Sequence, residues 1–356
     1  LPANLTIPST ATHAGNNNEV YTVVGIGQSS LMGNKVLESV TIPSTVTYIE
    51  HDAFAQCSNL KSVSIPTSVT RIDNGAFTDC TSLTSISIPT SLTSIGKEVF
   101  KGSGLTSIDI PNSITSIGES AFAGCAKLTS VKIPNSVTSI ASLAFYQSGL
   151  TSVTVPNSIP KIESSTFASC AKLDNVTIGN SVTSVEEDAF DGCKDPLTIT
   201  CNAAVAPTIE NSNSGGFWSV TTLSLKVPAG SEESYNNWKT TLGNMDSWWN
   251  YTAVDIKPII TIPATGYATF CPVSNNVTLP DGLQVYTLDK MSGKNKVNIY
   301  EVLKKQGEKI VIGKGTGVLL QGTPGNTYTL DTTGYANAVP TTFTDKNAVN
   351  NLKGVM

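Results

Sequence analysis

The sequence predicts a mainly β protein, in which residues 1–255 form a solenoid with capping ends and residues 256–356 form a small β-sandwich-like domain. Two residue classes keep one period through the first part. An aliphatic residue followed by proline, or by glycine in the last repeat, recurs every 22 or 23 residues at Ile42, Ile65, Ile88, Ile110, Ile133, Val155 and Ile178. A phenylalanine recurs at the same interval at Phe54, Phe77, Phe100, Phe122, Phe145, Phe167 and Phe190. Repeats of this size cannot bury their own apolar face, so they must stack on their neighbours.

Each repeat divides into a strand, a return segment and a closing turn. Residues 60–65 alternate apolar and polar side chains before Pro66, which cannot continue an interior ladder, so they read as a short strand. We expect residues 69–72 to turn the chain back. The Ala76-Phe77 pair then closes the coil through a helical or irregular turn.

Five of the seven cysteines keep the repeat register, each three residues after a phenylalanine: Cys57, Cys80, Cys125, Cys170 and Cys193. This placement indicates a small buried slot, which Asn34 fills in the first repeat. Two repeats are one residue shorter, at 100–105 and 145–150, and we interpret the deletion as replacing the cysteine by a glycine in a tightened turn. Neighbouring cysteines would lie within disulfide range, but parallel side chains in a ladder rarely reach the disulfide torsion. We therefore predict free thiols.

Composition and motifs argue against several functional classes. Charged residues make up 14% of the chain and the net charge is −5, so a basic nucleic-acid footprint is absent. No apolar run is long enough to span a bilayer. The chain has only two histidines, His13 and His51, and they lie in different repeats. A histidine-based zinc site or a Ser-His-Asp triad is therefore not expected. Gly25-Ile-Gly27 resembles a phosphate-binding fingerprint but lacks the third glycine and a following helix. We expect no catalytic, cofactor or metal site.

The repeat pattern Leu-x-x-Val-x-Ile-Pro-x-Ser-Val-x-x-Ile-Gly-x-x-Ala-Phe-x-x-Cys resembles the BspA-type leucine-rich repeat of bacterial surface antigens. The resemblance covers roughly residues 1–255, and the last repeat resembles that family's closing unit, with Tyr235 and Trp238. It implies an exported, non-catalytic protein, at the cell surface or secreted, that binds a host or matrix protein or another cell surface. No binding residues carry over from the family. Because the chain begins at Leu1 without a signal-peptide pattern, export is an expectation from the resemblance alone.

Residues 256–356 lose the period. Short apolar alternations separated by turn residues, such as Pro280-Asp-Gly282, are typical of a β-sandwich or barrel. The segments 266–270 and 315–320 resemble a small all-β module found at the C-termini of exported proteins of such bacteria. The sequence leaves open whether this module ends or is truncated at Met356.

The outward positions of the repeat strands predict a polar face. One column contains Thr41, Ser64, Ser87, Asp109, Lys132, Thr154, Thr177 and Thr200, and its neighbour contains Ser39, Ser62, Ser85, Ser107, Ser130, Ser152 and Asn175. Such ladders fit an ordinary hydrated sheet face or a broad concave surface that hydrogen-bonds a protein or a glycan. Asp109 and Lys132 are its only charges, and we expect them to be diagonal neighbours. The candidate interaction surface is therefore Ser107, Asp109, Ser130, Lys132 and Thr154.

All four tryptophans lie between residues 218 and 251. A terminal repeat must be covered by something large, and we interpret Trp238 as part of that cap. Stacked aromatic rings also bind sugars, and the adjacent Trp248 and Trp249 cannot both face inward on a strand. Trp248, Trp249 and Tyr251 are therefore the alternative candidate, a glycan site, and carbohydrate binding through them or the C-terminal module is the alternative function.

Overall fold

The computed structural model describes residues 1–12, 19–209, 217, 220–243, 253–261, 267–270, 277–278, 284–289, 298–301, 311–312, 318–321, 324 and 327–329. They are mainly β and include one α-helix, Glu232–Gly243. The chain divides into two compact units. The solenoid unit comprises Leu1–Ala203, Pro207–Leu223 and Trp238–Val254, and the C-terminal unit comprises Ala204–Ala206, Ser224–Asn237 and Asp255–Met356.

Each turn of the solenoid, called a rung here, starts with a strand whose middle side chain points into the core. In Ser62–Ser64, Val63 is buried between two exposed serines, as the alternation predicts. Neighbouring strands are parallel and in register, and Val40 lies opposite Val63. This first strand series is Asn4–Thr6, Ser39–Thr41, Ser62–Ser64, Ser107–Asp109, Ser130–Lys132, Ser152–Val155, Asn175–Ile178 and Leu197–Cys201. The corresponding segment 83–89 is not a strand.

The return segment of each rung also forms a strand, where the sequence predicted only a turn. This second strand series is Gly25–Ile26, Tyr48–Ile49, Arg71–Ile72, Ser94–Ile95, Ser116–Ile117, Ser139–Ile140, Lys161–Ile162, Ser184–Val185 and Thr208–Ile209. The aliphatic residue of such a pair faces the core, as Ile49 and Val185 do, while the residue before it faces solvent more. Most rungs therefore contain two strand segments, while the rung at residues 83–104 contains one, Ser94–Ile95.

The third part of each rung is an irregular turn that carries the phenylalanine. The amide of Phe54 donates to the carbonyl oxygen of Ala76 in the next rung (2.9 Å), so the turns are joined by backbone hydrogen bonds as the strands are. Residues flanking the phenylalanine, such as Asp52 (φ 55°) and Gln56 (φ 59°), adopt the left-handed conformation that reverses the chain.

The phenylalanine rings form one buried stack, which confirms the predicted ladder. Successive ring centroids lie 5.2 to 5.8 Å apart from Phe54 to Phe217. Phe217 was missed in the sequence because it follows Phe190 by 27 residues rather than 22 or 23. Trp238 continues the stack with a tilted ring, 5.9 Å from Phe217, and its indole N–H donates to the carbonyl oxygen of Pro207. Its burial agrees with the predicted cap.

The cysteine slot is buried, and the six described cysteines are free thiols, as predicted. Each repeat cysteine donates to the carbonyl of the rung below; Cys80 Sγ lies 3.2 Å from the Phe54 oxygen. The interpretation of the short repeats was partly wrong, because Ser103 and Ser148 occupy the slot and contact the sulfurs of Cys125 and Cys170 at 3.3 and 3.2 Å.

The deletion in the short repeats falls after the slot, where a glycine is required. A Cβ built on Gly104 would lie 2.2 Å from the carbonyl oxygen of Thr81, and one on Gly149 would lie 2.3 Å from that of Ala126. The tightened turn was therefore predicted correctly.

At the N-terminal end, Thr10–Thr12 pairs in antiparallel fashion with Val20–Thr22. The remaining strand bounds, which include those of the C-terminal unit, are Thr222–Pro228, Ala253–Thr261, Tyr267–Phe270, Val277–Thr278, Gln284–Asp289, Asn298–Glu301, Val311–Ile312, Val318–Gln321 and Thr327–Thr329. Within the C-terminal unit, Gln284–Asp289 pairs in antiparallel fashion with Asn298–Glu301 and with Val318–Gln321. These strands agree with an all-β region, while the sandwich arrangement stays a prediction.

Candidate interaction surface

The solenoid places four of the five candidate residues together. Ser107–Asp109 and Ser130–Lys132 are parallel neighbours, with Ser107 opposite Ser130 and Asp109 opposite Lys132. The expectation that the two charges are diagonal neighbours was wrong, because rungs 22 or 23 residues apart stack in direct register. All four side chains are exposed. We call the outward side chains of the first strand series the first-strand face.

Thr154 does not share a sheet with the other four residues. It is exposed on Ser152–Val155, which pairs with Asn175–Ile178, whereas Ser130–Lys132 belongs to a separate two-stranded sheet. Ser85 and Ser87 are exposed at the expected positions, but they lie in the segment that is not a strand. The sequence therefore predicted the columns and missed their division.

Charged side chains near the two ends of the first strand series form ion pairs, unlike those in the middle. Lys61 Nζ lies 2.8 Å from Glu38 Oε2, and Lys194 Nζ lies 2.7 Å from Asp174 Oδ2, so these charges are paired across rungs. The hydrogen bond from Lys194 lowers the pKa of the Asp174 carboxyl.

In the middle of the face the two charges are not paired. Within the described residues, no ion pair of 4.0 Å or less joins Asp109 to Lys132, although their backbones are directly opposite. One acidic and one basic group are thus left to face solvent side by side.

Hydroxyl groups surround this charged pair. The exposed hydroxyls of Ser107 and Ser130 make no hydrogen bond within the described part of the chain, so they can donate to and accept from a bound molecule. The side chains of the two columns include no aromatic ring. This face can therefore offer hydrogen bonds and two opposite charges, and it offers no ring on which a sugar could stack.

A family comparison assigns the repeats. Residues 18–111 and 93–215 match the model of the BspA type leucine-rich repeat region, in 6 copies. Together these segments span more than half of the 356 residues. The chain belongs to this family.

Solved structures similar to this BspA-type protein come from several bacteria. A leucine-rich repeat protein of T. pallidum is 26% identical, with 52% of this chain and 72% of that chain covered and a TM-score of 0.35. One from Bacteroides ovatus is 19% identical (72% and 92% covered, TM-score 0.36). A leucine-rich cell surface protein from Faecalibacterium prausnitzii is 24% identical (71% and 87% covered, TM-score 0.32). No curated protein matches the chain.

The alternative glycan site of this BspA-type protein, formed by Trp248, Trp249 and Tyr251, lies outside the described residues. So does His13, while His51 is exposed on the solenoid. Among the residues with described positions, no group of three or more His, Cys, Asp or Glu side chains is arranged to hold a metal ion. None of the described helical residues forms a helix long and apolar enough to cross a membrane.

Proposed function

We propose that this BspA-type protein is a non-catalytic binding protein, exported to the cell surface or secreted, that contacts a partner protein through the first-strand face. The observation that carries the proposal is the Asp109–Lys132 pair. It places two exposed opposite charges in register, without an ion pair between them, among serine hydroxyls.

Charges and hydroxyls play different roles at an interface. Exposed charges steer association and select the partner, because a misplaced like charge is strongly unfavourable. Hydroxyl columns add many weak hydrogen bonds spread over a long surface, so no single serine is expected to dominate. The partner that fits is a protein with a complementary acidic and basic group about one strand spacing apart, roughly 4.8 Å.

The family supports the cellular setting of the proposal. A BspA-type repeat region fits a protein that acts outside the bacterial cytoplasm, on a host or matrix protein or on another cell surface. Catalysis, a cofactor and nucleic acid have no part in this proposal. Carbohydrate binding through Trp248, Trp249 and Tyr251 stays a prediction, and the experiment below separates it.

The test is a binding screen with paired variants. The purified chain is measured by biolayer interferometry against a panel of immobilised extracellular-matrix proteins, and in parallel on a glycan array. We expect a matrix-protein signal that the joint change Asp109→Ala with Lys132→Ala weakens by about tenfold, the loss expected when two interface charges are removed.

The matched control is Lys97→Ala with Glu119→Ala. It also removes one base and one acid that lie on neighbouring rungs, where they form an exposed ion pair (2.9 Å) outside the first-strand face. Equal binding by wild type and the Asp109/Lys132 variant would contradict the proposal. A glycan signal that Trp249→Ala abolishes, in a variant that keeps its circular dichroism spectrum, would favour the carbohydrate alternative instead.

A further inference from the structure

A column of hydrogen bonds in the second strand series is interrupted twice. A threonine precedes six of these two-residue strands, and in the last strand Thr208 is itself the first residue, after Pro207. Except at Thr93, the amide of this threonine donates to the carbonyl one rung below. These bonds are Thr47 to Val24, Thr70 to Thr47, Thr115 to Thr93, Thr138 to Thr115, Thr183 to Pro160 and Thr208 to Thr183, at 2.8 or 2.9 Å. The same six threonine hydroxyls donate to the same oxygens at 3.1 to 3.3 Å. The column lacks its bond at Thr93 and at Pro160.

At Pro160 the hydrogen bond is missing because of the residue type. Proline has no amide hydrogen, so the bond to the Thr138 carbonyl cannot form. The strand sheets divide at the same place. Ser139–Ile140 ends one sheet of the second series and Lys161–Ile162 begins the next, and Ser130–Lys132 and Ser152–Val155 belong to different sheets of the first series. One backbone bond of the first series, from Thr151 to Thr129 (3.2 Å), persists.

At Thr93 the separation is visible in the core. In the described chain, neither the amide nor the hydroxyl of Thr93 bonds to the rung below, and both strand series divide here. Ile65 and Ile72 are half-buried, although the equivalent Ile42 and Ile49 of the rung below are buried. An apolar cavity lies between the rungs, lined in part by Ile65, Ile72, Ile86, Ile88, Leu92 and Phe100.

The phenylalanine turns continue across both interruptions. The Phe77 amide donates to Val99 and the Phe145 amide to Thr166, both at 2.9 Å. The rings on either side stay stacked at 5.8 and 5.6 Å. At each interruption, therefore, the hydrogen bonds of the phenylalanine turn are kept, whereas those between the strands are reduced or lost. Other bonds still cross: the Ser91 hydroxyl to the Val69 carbonyl and the Lys97 amide to Asn74 Oδ1 at the first interruption, and the Ser158 hydroxyl to the Val137 carbonyl at the second.

We propose that these two places are hinges, between residues 82 and 83 and between residues 149 and 150, at which three blocks of three rungs bend by opening on the strand sides while the phenylalanine side stays in contact. Neighbour contacts hold a solenoid together, so a junction with fewer bonds couples its two sides more weakly. The inference goes beyond the proposed function, since it holds whether or not the first-strand face binds a partner. Its consequence for that face is that Lys132 and Thr154 lie on opposite sides of the second hinge.

Hydrogen exchange tests the hinges in the intact protein. Amide exchange is followed by mass spectrometry under native conditions in rising, sub-denaturing urea, which resolves cooperative opening units. The protected amides between residues 37 and 209 should fall into three groups with boundaries at the two hinges. One common opening curve over this range, or boundaries elsewhere, would overturn the proposal.

A variant isolates the second hinge. Pro160→Thr supplies the residue that precedes most strands of the series and restores the amide. It should therefore merge the second and third groups and slow exchange at their junction by about five- to tenfold, as expected for one net hydrogen bond. Pro134→Thr is the control, because it removes a proline inside the central block and should leave all boundaries in place. Two groups that stay separate in Pro160→Thr, with unchanged exchange rates, would contradict the role of the missing bond.

Discussion

The phenylalanine stack makes a quantitative prediction about Phe122→Ala. The ring is fully buried between Phe100 at 5.5 Å and Phe145 at 5.3 Å. Removing a buried phenylalanine side chain costs about 3–5 kcal/mol, because the transfer energy is lost and the cavity closes only in part. Both flanking rings lose a stacking partner, and the hydrogen-bonded backbone of the rungs limits collapse. The upper half of this range is therefore expected.

The matched comparison is Phe54→Ala, near the start of the stack. Phe54 is equally buried but has one ring neighbour, Phe77 at 5.2 Å, and the equivalent position one rung below holds the half-buried Leu31. An aromatic pair contributes about 0.5–1.5 kcal/mol beyond its buried area, so Phe54→Ala should cost less than Phe122→Ala by about this amount. Urea unfolding followed by circular dichroism measures both. Equal and negligible losses would refute the view that the stack is the core of the solenoid.

Three further predictions concern the glycine turns and the cysteines. Gly104→Ala should destabilise by about 1–3 kcal/mol, because its Cβ would meet the Thr81 carbonyl at 2.2 Å; Gly27→Ala, with nothing within 4 Å, is the control and should change thermal stability little. Thiol labelling of the native protein should be slow and should extend to most of the seven cysteines in denaturant, and rapid native labelling would contradict a buried slot. Burial raises the pKa of Cys80 to about 12 and that of Cys125 to about 11, whereas unfolded thiols ionise near 9. The contribution of these buried thiols to the free energy of unfolding is thus complete below pH 9, and it should fall by about 1.4 kcal/mol per thiol and pH unit above pH 9. The midpoint of urea unfolding should therefore drop between about pH 8.5 and 10.5, and it should drop less in Cys80→Ala.

The sequence predicted those parts of the fold that depend on a strict period. The phenylalanine and cysteine positions, the inward side chains of the first strand series and the glycine turns follow from one repeated environment, so each residue type marks its own place. Phe217 was not predicted because the 27-residue spacing that separates it from Phe190 breaks the repeat period. The second strand series was missed because a two-residue strand is too short to show an alternation.

The candidate surface was predicted as two columns, and its register and division came only from the structure. Asp109 lies opposite Lys132 because parallel rungs align residue for residue. The 23-residue spacing of the two residues already indicated this register, and the expectation of diagonal neighbours did not take it into account. The division before Thr154 has a sequence signal, Pro160, but its effect depends on a hydrogen bond between rungs that one repeat alone does not reveal. The division at Thr93 has no comparable signal in the sequence.

The central claim is that the first-strand face binds the partner through the arrangement of its two charges. The measurement that tests it most directly is the affinity, for the matrix protein bound most tightly in the screen, of the exchange Asp109→Lys with Lys132→Asp, which keeps the net charge of −5. Each charge then faces a like charge on the partner, so the affinity should fall by about tenfold or more. The control exchange, Lys97→Glu with Glu119→Lys, should leave it within about twofold. Equal affinities for the wild type and the Asp109/Lys132 exchange would contradict the account.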